Sequence, residues 1–482
     1  MNALVMRWIV LVVLVAAVGC WSQPATVSST ASPSAGLADV QESLPPFVPS
    51  TDPDIEELED DEWWAPAAGR PPYSDRNYLD ATERSLAERI TDRDRGDVQD
   101  DRKHLTEISL NRPTDALLLD IAKLPTLRRL FVVGNPKIAP SSMKALGQLG
   151  TLEELEVHRM PATMEAISEW TGLHRLKRLT LQDDNLTDGA MSVIGQFKNL
   201  EHLDLSGNRL TDAAVDAIAT LERLQSLVLR ERMQRLRLGG GWTKSRPMQI
   251  TDASLPKLSS LQHLAHLNLS GNPVTGVGLR HLAALPELNW LVLSGPTIRG
   301  DAMEALVQCH RLETLLVHNS QVNDAGLAHI SRLVNLKSLA LMSGPFTDQG
   351  VAELVRLGRL KELRFYGSDL TDESLKHISQ LASLQELWIR SPNDETEPSP
   401  KFTATGFEHL LQLKDLRHLT LRDVDIDPAV PTLCQMTWLK TLFLDETKLS
   451  EKSLRQLWDS PLRQKTGGKA GLPNPNLPRE PR

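Results

Sequence analysis

Cysteine, histidine, serine and carboxylate side chains are where a sequence would show chemistry, and here their spacing forms no reactive set. Cys20, Cys309 and Cys434 give neither a zinc spacing nor a redox pair. The histidines are scattered, His-Glu-x-x-His is absent, and His202, His266 and His418 share one position in well-separated segments. Ser141-x-x-Lys144 has the spacing of an activated serine, yet no partner motif accompanies it. Asp188, Asp212, Asp252, Asp324, Asp348 and Asp372 recur at the start of helical segments, where a carboxylate caps a helix end for about 1 kcal/mol. Capping accounts for that row without any chemistry. No catalytic set, metal site or cofactor site is expected, and the chain is not expected to be an enzyme.

The elements that position these residues are copies of one stretch. From Leu200 to Asp212, leucines fall at relative positions 1, 4, 6 and 11, with Asn208 at position 9. Alternation at Leu203 and Leu205 is the period of a strand with both leucines inward and Asp204 outward. Asp212 then reads as the N-cap of a helix over Ala213 to Ile218. A strand and a short helix cannot bury their apolar sides alone, so the unit must be stacked. First-position leucines recur every 24 residues at Leu152, Leu176, Leu200 and Leu224, then at Leu264, Leu288, Leu312, Leu336, Leu360 and Leu384. The step of 40 from Leu224 to Leu264 is one unit plus 16 residues, and the step of 32 from Leu384 to Leu416 is one unit plus 8. Leu105, Leu127 and Leu439 extend the series to fourteen units, called repeats 1 to 14 below. Cys309 and Cys434 then lie five repeats apart, about 24 Å at the strand spacing, beyond disulfide reach.

This pattern resembles the leucine-rich-repeat family, and the resemblance covers roughly three quarters of the chain. The 24-residue form with Leu-Thr-Asp after the strand is similar to bacterial exported repeat proteins and to the arrays beside F-box domains, although no F-box-like module lies upstream. The resemblance implies an α/β solenoid, a curved horseshoe of about 14 repeats. Its parallel sheet would form the concave side, short helices the convex side, and protein binding would take place on the sheet. Asparagine holds position 9 only at Asn135, Asn208 and Asn272; Asp184, Ser320, Gly344, Ser368 and Thr447 replace it elsewhere. The internal asparagine ladder is therefore expected to be patchy.

Around the repeats, residues 1–20 read as an export signal: Arg7, an apolar run from Trp8 to Val18 too short to span a bilayer, then Gly19-Cys20. Ala17-Val18-Gly19-Cys20 resembles the lipobox of bacterial lipoproteins, in which Cys20 would carry lipid, with Ala17 where that family prefers Leu. An ordinary cleaved signal is the alternative. Residues 21–78 read as a disordered Ser/Thr/Pro and acidic linker, with eight carboxylates between Asp52 and Glu62 accounting for most of the formal charge of −9. The remainder is nearly neutral, which argues against nucleic acid as the main partner. Residues 79–104 are expected to cap the first repeat through Leu79, Leu86 and Ile90, residues 105–458 to form the repeats, and 459–482 a disordered tail. Insertions fall near 230–249 and 391–401. The first carries Arg232, Arg235, Arg237, Trp242, Lys244 and Arg246, which could grip an anionic glycan, a headgroup or an acidic tail, or could be a plain solvated loop. Its Gly239-Gly240-Gly241-Trp242-Thr243-Lys244-Ser245 is no phosphate loop, because Thr243 stands where glycine is needed and Pro247 blocks the following helix.

Outward strand positions line up across a parallel sheet. Position 5 runs Val292, Leu316, Ala340, Arg364, Trp388, position 7 runs His318, Met342, Tyr366, Arg390, and Trp290 sits at position 3. These residues are expected to form an exposed apolar and aromatic patch on repeats 8 to 12, edged by Arg364 and Arg390, of the kind that anchors a partner. The alternative is that concave aromatics only stiffen the sheet. The expected function is a non-catalytic module for a protein or peptide ligand, exported and held at the cell envelope or periplasm by a lipid anchor alone. The alternative localisation is secretion. A structural envelope component that touches glycan through the basic insertion is the alternative function.

Overall fold

The computed structural model describes residues 81–91, 96–100, 103–160, 164–231, 234–235, 242–243, 248–342, 344–366, 370–390, 402–422, 424–445, 449–463 and 466–467. The signal with Cys20, the linker, Arg232, Arg237, Lys244, Arg246 and the second insertion lie outside these residues. Of Arg235 and Trp242 the backbone alone is described, paired in a two-residue antiparallel hairpin.

Sixteen strands make one sheet in chain order, skipping only that hairpin. Strand Gly96–Asp100 lies antiparallel on Leu105–Asn111, and the pairs from there on are parallel. Leu315, Leu339 and Leu363 pair in succession, each one repeat further along. The two insertions do not disturb the register, since Leu227 pairs with Leu267 and Leu387 with Leu419. Alternation explains this constancy: a slip by one residue would turn every inward leucine to the other face. Leu203, Leu205, Leu267 and Leu291 are each at most 1% exposed. Between sheet and helices runs one continuous core, from Leu86 at one end to Leu462 at the other.

Position 8, where the chain leaves the strand, takes a left-handed conformation at Arg112, Gly134, Arg159, Asp183, Gly207, Gly271, Gly295 and Asn319. Glycine, asparagine and aspartate tolerate this geometry, and the two arginines adopt it at some cost.

Helix starts differ from the expectation. Thr211, not Asp212, is the N-cap, its Oγ1 accepting from Ala213 N–H at 3.3 Å. The aspartate takes the first helical position and faces the next repeat, where its carboxylate accepts from Thr251 N–H at 2.7 Å and Thr251 Oγ1–H at 2.6 Å. The same two bonds join Asp188 to Thr211, Asp252 to Thr275, Asp324 to Thr347, Asp348 to Thr371 and Asp372 to Thr403. An aspartate one residue after the cap cannot cap its own helix, but it reaches the unsatisfied N–H of the neighbouring turn. The row of carboxylates is thus a ladder that ties repeats together. It is interrupted where Gly276 and Gly300 replace aspartate.

Both ends of the sheet are covered. Leu86, Ala87 and Ile90 of helix Ala81–Thr91 and Val98 of the antiparallel strand are buried at the N-terminal end. At the other end helix Glu451–Asp459 buries Leu454 and Leu457, and Thr466–Gly467 pairs with Leu442 and Phe443. Sheet edges need such covers to prevent further strand pairing.

Candidate binding face

The sheet brings the outward residues together in the expected columns. Val292, Leu316, Ala340, Arg364 and Trp388 are successive partners, as are Ser294, His318, Met342, Tyr366 and Arg390. Their exposure differs from the expectation. Trp290, Val292, Leu316, Ala340, Met342 and Tyr366 form a buried cluster of their own, separate from the core, with Val292 at 0% and Tyr366 at 9% exposure. On a concave surface side chains from neighbouring strands converge, so long ones lie over short ones such as Ala340 and cover one another. Trp388 packs at the margin of the cluster and stays half-buried, as does His318.

The two edging arginines are engaged within the fold. Arg364 Nη2 lies 3.0 Å from Glu386 Oε1 and 3.6 Å from Glu362 Oε2. The Arg390 guanidinium stacks 4.9 Å above the Tyr366 ring and is 3% exposed. Neither is the open edge of a partner-anchoring patch that the spacing suggested.

Histidines that look remote in sequence lie two strands apart on this face. His202 and His266 flank Ser226 on successive strands, although 64 residues separate them. With the 16-residue insertion subtracted, that is two repeats. His266 packs against the Trp290 ring at 6.2 Å, and His318 Nε2 lies 3.4 Å from Ser270 Oγ. Burial pushes His202 down to about 4, helped by Arg178 and His266. Burial and then Arg230 push His318 down to about 4, and burial also lowers His266.

Repeats 1 to 5 present a more open and polar face. Arg129 Nε donates to Glu107 Oε2 at 3.0 Å, and Arg178 lies 3.8 Å from Glu154. A string crosses three strands: His158 Nδ1 meets Gln182 Oε1 at 3.0 Å, and Gln182 Nε2 donates to Asp204 Oδ2 at 2.7 Å. Ser206 Oγ donates to Asp204 rather than to a histidine. Phe131, Glu156, His158, Gln182 and Asp204 are all half-buried, available to a ligand.

Ser141 is exposed, and Lys144 turns to Glu165 at 3.5 Å. Cys309 is buried, which pushes its thiol up to about 11, and both Cys309 and Cys434 are free. Among the described residues no group of three or more metal-ligating side chains is gathered, and no helix is long and apolar enough to cross a membrane. An open cleft of about 560 Å³ lies where the aspartate ladder is broken, lined by Arg299, Gly300, Glu304, Asn323 and His329 among others.

Two family models, each a leucine-rich repeat, match residues 174–231 and 260–283. With the register above, these matches decide the family. The chain is a leucine-rich-repeat protein. Solved structures similar to it include the internalin inlF of Listeria monocytogenes, at 18% identity over 81% of this chain and 94% of that one, with a TM-score of 0.47. Internalin C2 of the same organism shares 20% identity over 45% of this chain and 82% of that one, with a TM-score of 0.33. A PEPR1–AtPEP1 structure shares 15% identity over 73% of this chain and 52% of that one, with a TM-score of 0.36. The sequence matches none of the curated proteins. As in its family, the repeat strands form a horseshoe whose inner wall is a continuous parallel sheet.

Proposed function

We propose that this leucine-rich-repeat chain is a non-catalytic binding module that holds a protein or peptide on its concave sheet, tethered to the bacterial envelope by lipid on Cys20. The observation that carries the reading is the inner wall itself. Fourteen repeat strands align their outward positions in columns, mostly polar and half-exposed over repeats 1 to 5, with Trp388 at the margin of the buried cluster further on. Such a wall offers an extended ligand many hydrogen-bond partners and one aromatic anchor, the usual composition of an interface. The export signal ending at Gly19-Cys20 supports the tether.

Site-directed crosslinking tests the face. A photoreactive side chain replaces Arg129 on the sheet or Val277 on a helix, where it is 59% exposed, and the protein meets envelope extract with and without excess unlabelled protein. Competed crosslinks from position 129 and none from 277 are expected; the opposite pattern would place the ligand on the helices. The tether has its own test: Cys20→Ser is expected to abolish membrane partition and the lipid mass, and unchanged partition and mass would refute it.

A further inference from the structure

One carboxyl inside the solenoid does not suit its place as a charge. In repeat 5, Asn208 Oδ1 accepts from the Asp184 and Leu186 N–H groups at 3.2 and 3.0 Å, and its Nδ2 donates to the Leu181 and Leu205 carbonyls at 2.7 and 2.9 Å. Asn272 repeats the arrangement, accepting from Ile250 N–H at 3.1 Å and donating to the Leu229 and Leu269 carbonyls at 2.6 and 3.2 Å. Each amide thus serves one carbonyl of the preceding repeat and one of its own.

Repeat 4 has Asp184 at this rung, 24 residues before Asn208. Its Oδ1 performs the acceptor half, taking Met160 N–H at 2.7 Å. Its Oδ2 is buried and has no hydrogen-bond partner, in a residue 2% exposed. Moving the asparagine pattern back one repeat puts the Val157 and Leu181 carbonyls opposite Oδ2. A carboxylate there would hold a bare negative oxygen against carbonyl oxygens, away from water. A neutral acid instead offers a hydroxyl donor.

The charged groups of the surrounding turns do not offset that burial. Asp183 adds a second negative charge, and Arg159 of the preceding turn lies 4.0 Å from the Asp183 carboxylate. Arg209 of the following turn donates to Asn185 at 2.9 Å. Burial holds the Asp184 carboxyl well above the usual range; the Met160 bond opposes this, and Asp183 adds to it.

We propose that Asp184 sits in the folded solenoid as the neutral acid, its Oδ2 hydroxyl standing where an asparagine rung has its amide, so that a proton closes the seam between repeats 3 and 4. Folding of this seam takes up a proton. Its stability is complete at acid pH and is lost as pH rises through the raised value.

The full chain and its Asp184→Asn variant are compared between pH 5 and 9. Hydrogen exchange at the Met160 amide, corrected for the intrinsic pH dependence of exchange, reads the opening of the seam. The ratio of wild-type to variant opening constants is expected to rise about tenfold per pH unit up to the raised value and to level off above it. An infrared band of a protonated carboxyl is expected in the wild type at neutral pH and missing from the variant. If Asp184→Asn does not fold, Asp184→Ser replaces it in the difference spectrum. A pH-independent ratio, or no protonated carboxyl band at neutral pH, would overturn the proposal.

Discussion

His202 and His318, like His266, are lowered by burial on the inner wall. Both are held near about 4 against the usual 6.5, by burial first and then by Arg178 and Arg230 respectively. A folded value below the unfolded one means that folding favours neutral imidazole. That contribution is complete above 6.5 and is lost as pH falls from there toward about 4. The urea midpoint is therefore expected to drop across this window, and less steeply in a His202→Gln/His318→Gln variant; an equal slope in both would show that other groups carry the response. Single side chains also test the alternation. Leu267→Ala, at 0% exposure, should cost about 2–5 kcal/mol in a denaturant titration. Asn268 points to the other face, yet it is 5% exposed and accepts from Ser270 N–H at 2.9 Å, so Asn268→Ala should cost about 1 kcal/mol. Equal losses would mean a shifted register. The inward leucines were legible because their identity repeats with the strand period. The lowered titration of His202 and His266 was not, because it follows from burial on the sheet, and neither was the left-handed backbone at Arg112 and Arg159, whose residue type gives no sign of it.

Helix starts carry the link between repeats. Thr211 caps its own helix and also donates to Asp188 of the repeat before, while Asp212 accepts from Thr251 of the next, so Leu210-Thr211-Asp212 serves three successive repeats. At one rung Asp348 accepts from Thr371 N–H, Thr371 Oγ1–H and Ser374 Oγ–H. Burial opposes its charge, but the bonds from Ser374 and Thr371 outweigh it and hold the carboxyl below its usual value. This rung therefore weakens as pH falls through that lowered value. Asp348→Ala and Thr371→Val should each cost about 1–2 kcal/mol, and the double variant little more than either, because both remove one shared interaction. Fully additive losses in a denaturant titration would show that the two residues act separately. The aspartate row was visible in the sequence, but its role was assigned to the wrong turn. Spacing within one repeat cannot say that a side chain faces the next. At the ladder break the swap is mutual: Asn323 caps helix Asp324–Ile330, its Oδ1 accepting from Gly326 N–H at 3.2 Å, and a Cβ on Gly300 would come 2.9 Å from that Oδ1, so the lost carboxylate makes room for the longer cap. Gly300→Asp alone should destabilise, and Gly300→Asp/Asn323→Thr should recover part of the loss in the same titration.

At the scale of the whole molecule, fourteen strands in register follow from fourteen leucine series, and the continuous core follows from stacking units that cannot stand alone. The order of the outward columns was equally legible, since a parallel sheet places the same position of each repeat side by side. Exposure of those columns was not. It depends on how a concave wall folds side chains over one another, and that belongs to the array rather than to any repeat. The consequence divides the aromatic residues into two roles. Tyr366 is a member of the buried cluster beneath Arg390, whereas Trp388 stays half-buried at its margin and open to a ligand. The most direct test compares Tyr366→Ala and Trp388→Ala in two assays, urea unfolding and competed capture of the envelope ligand. Tyr366→Ala should cost about 2–4 kcal/mol of stability. Trp388→Ala should change stability much less while weakening capture by about 2 kcal/mol or more, as interface anchors do. Trp388→Ala that captures ligand as tightly as the wild type would contradict a binding site on this face.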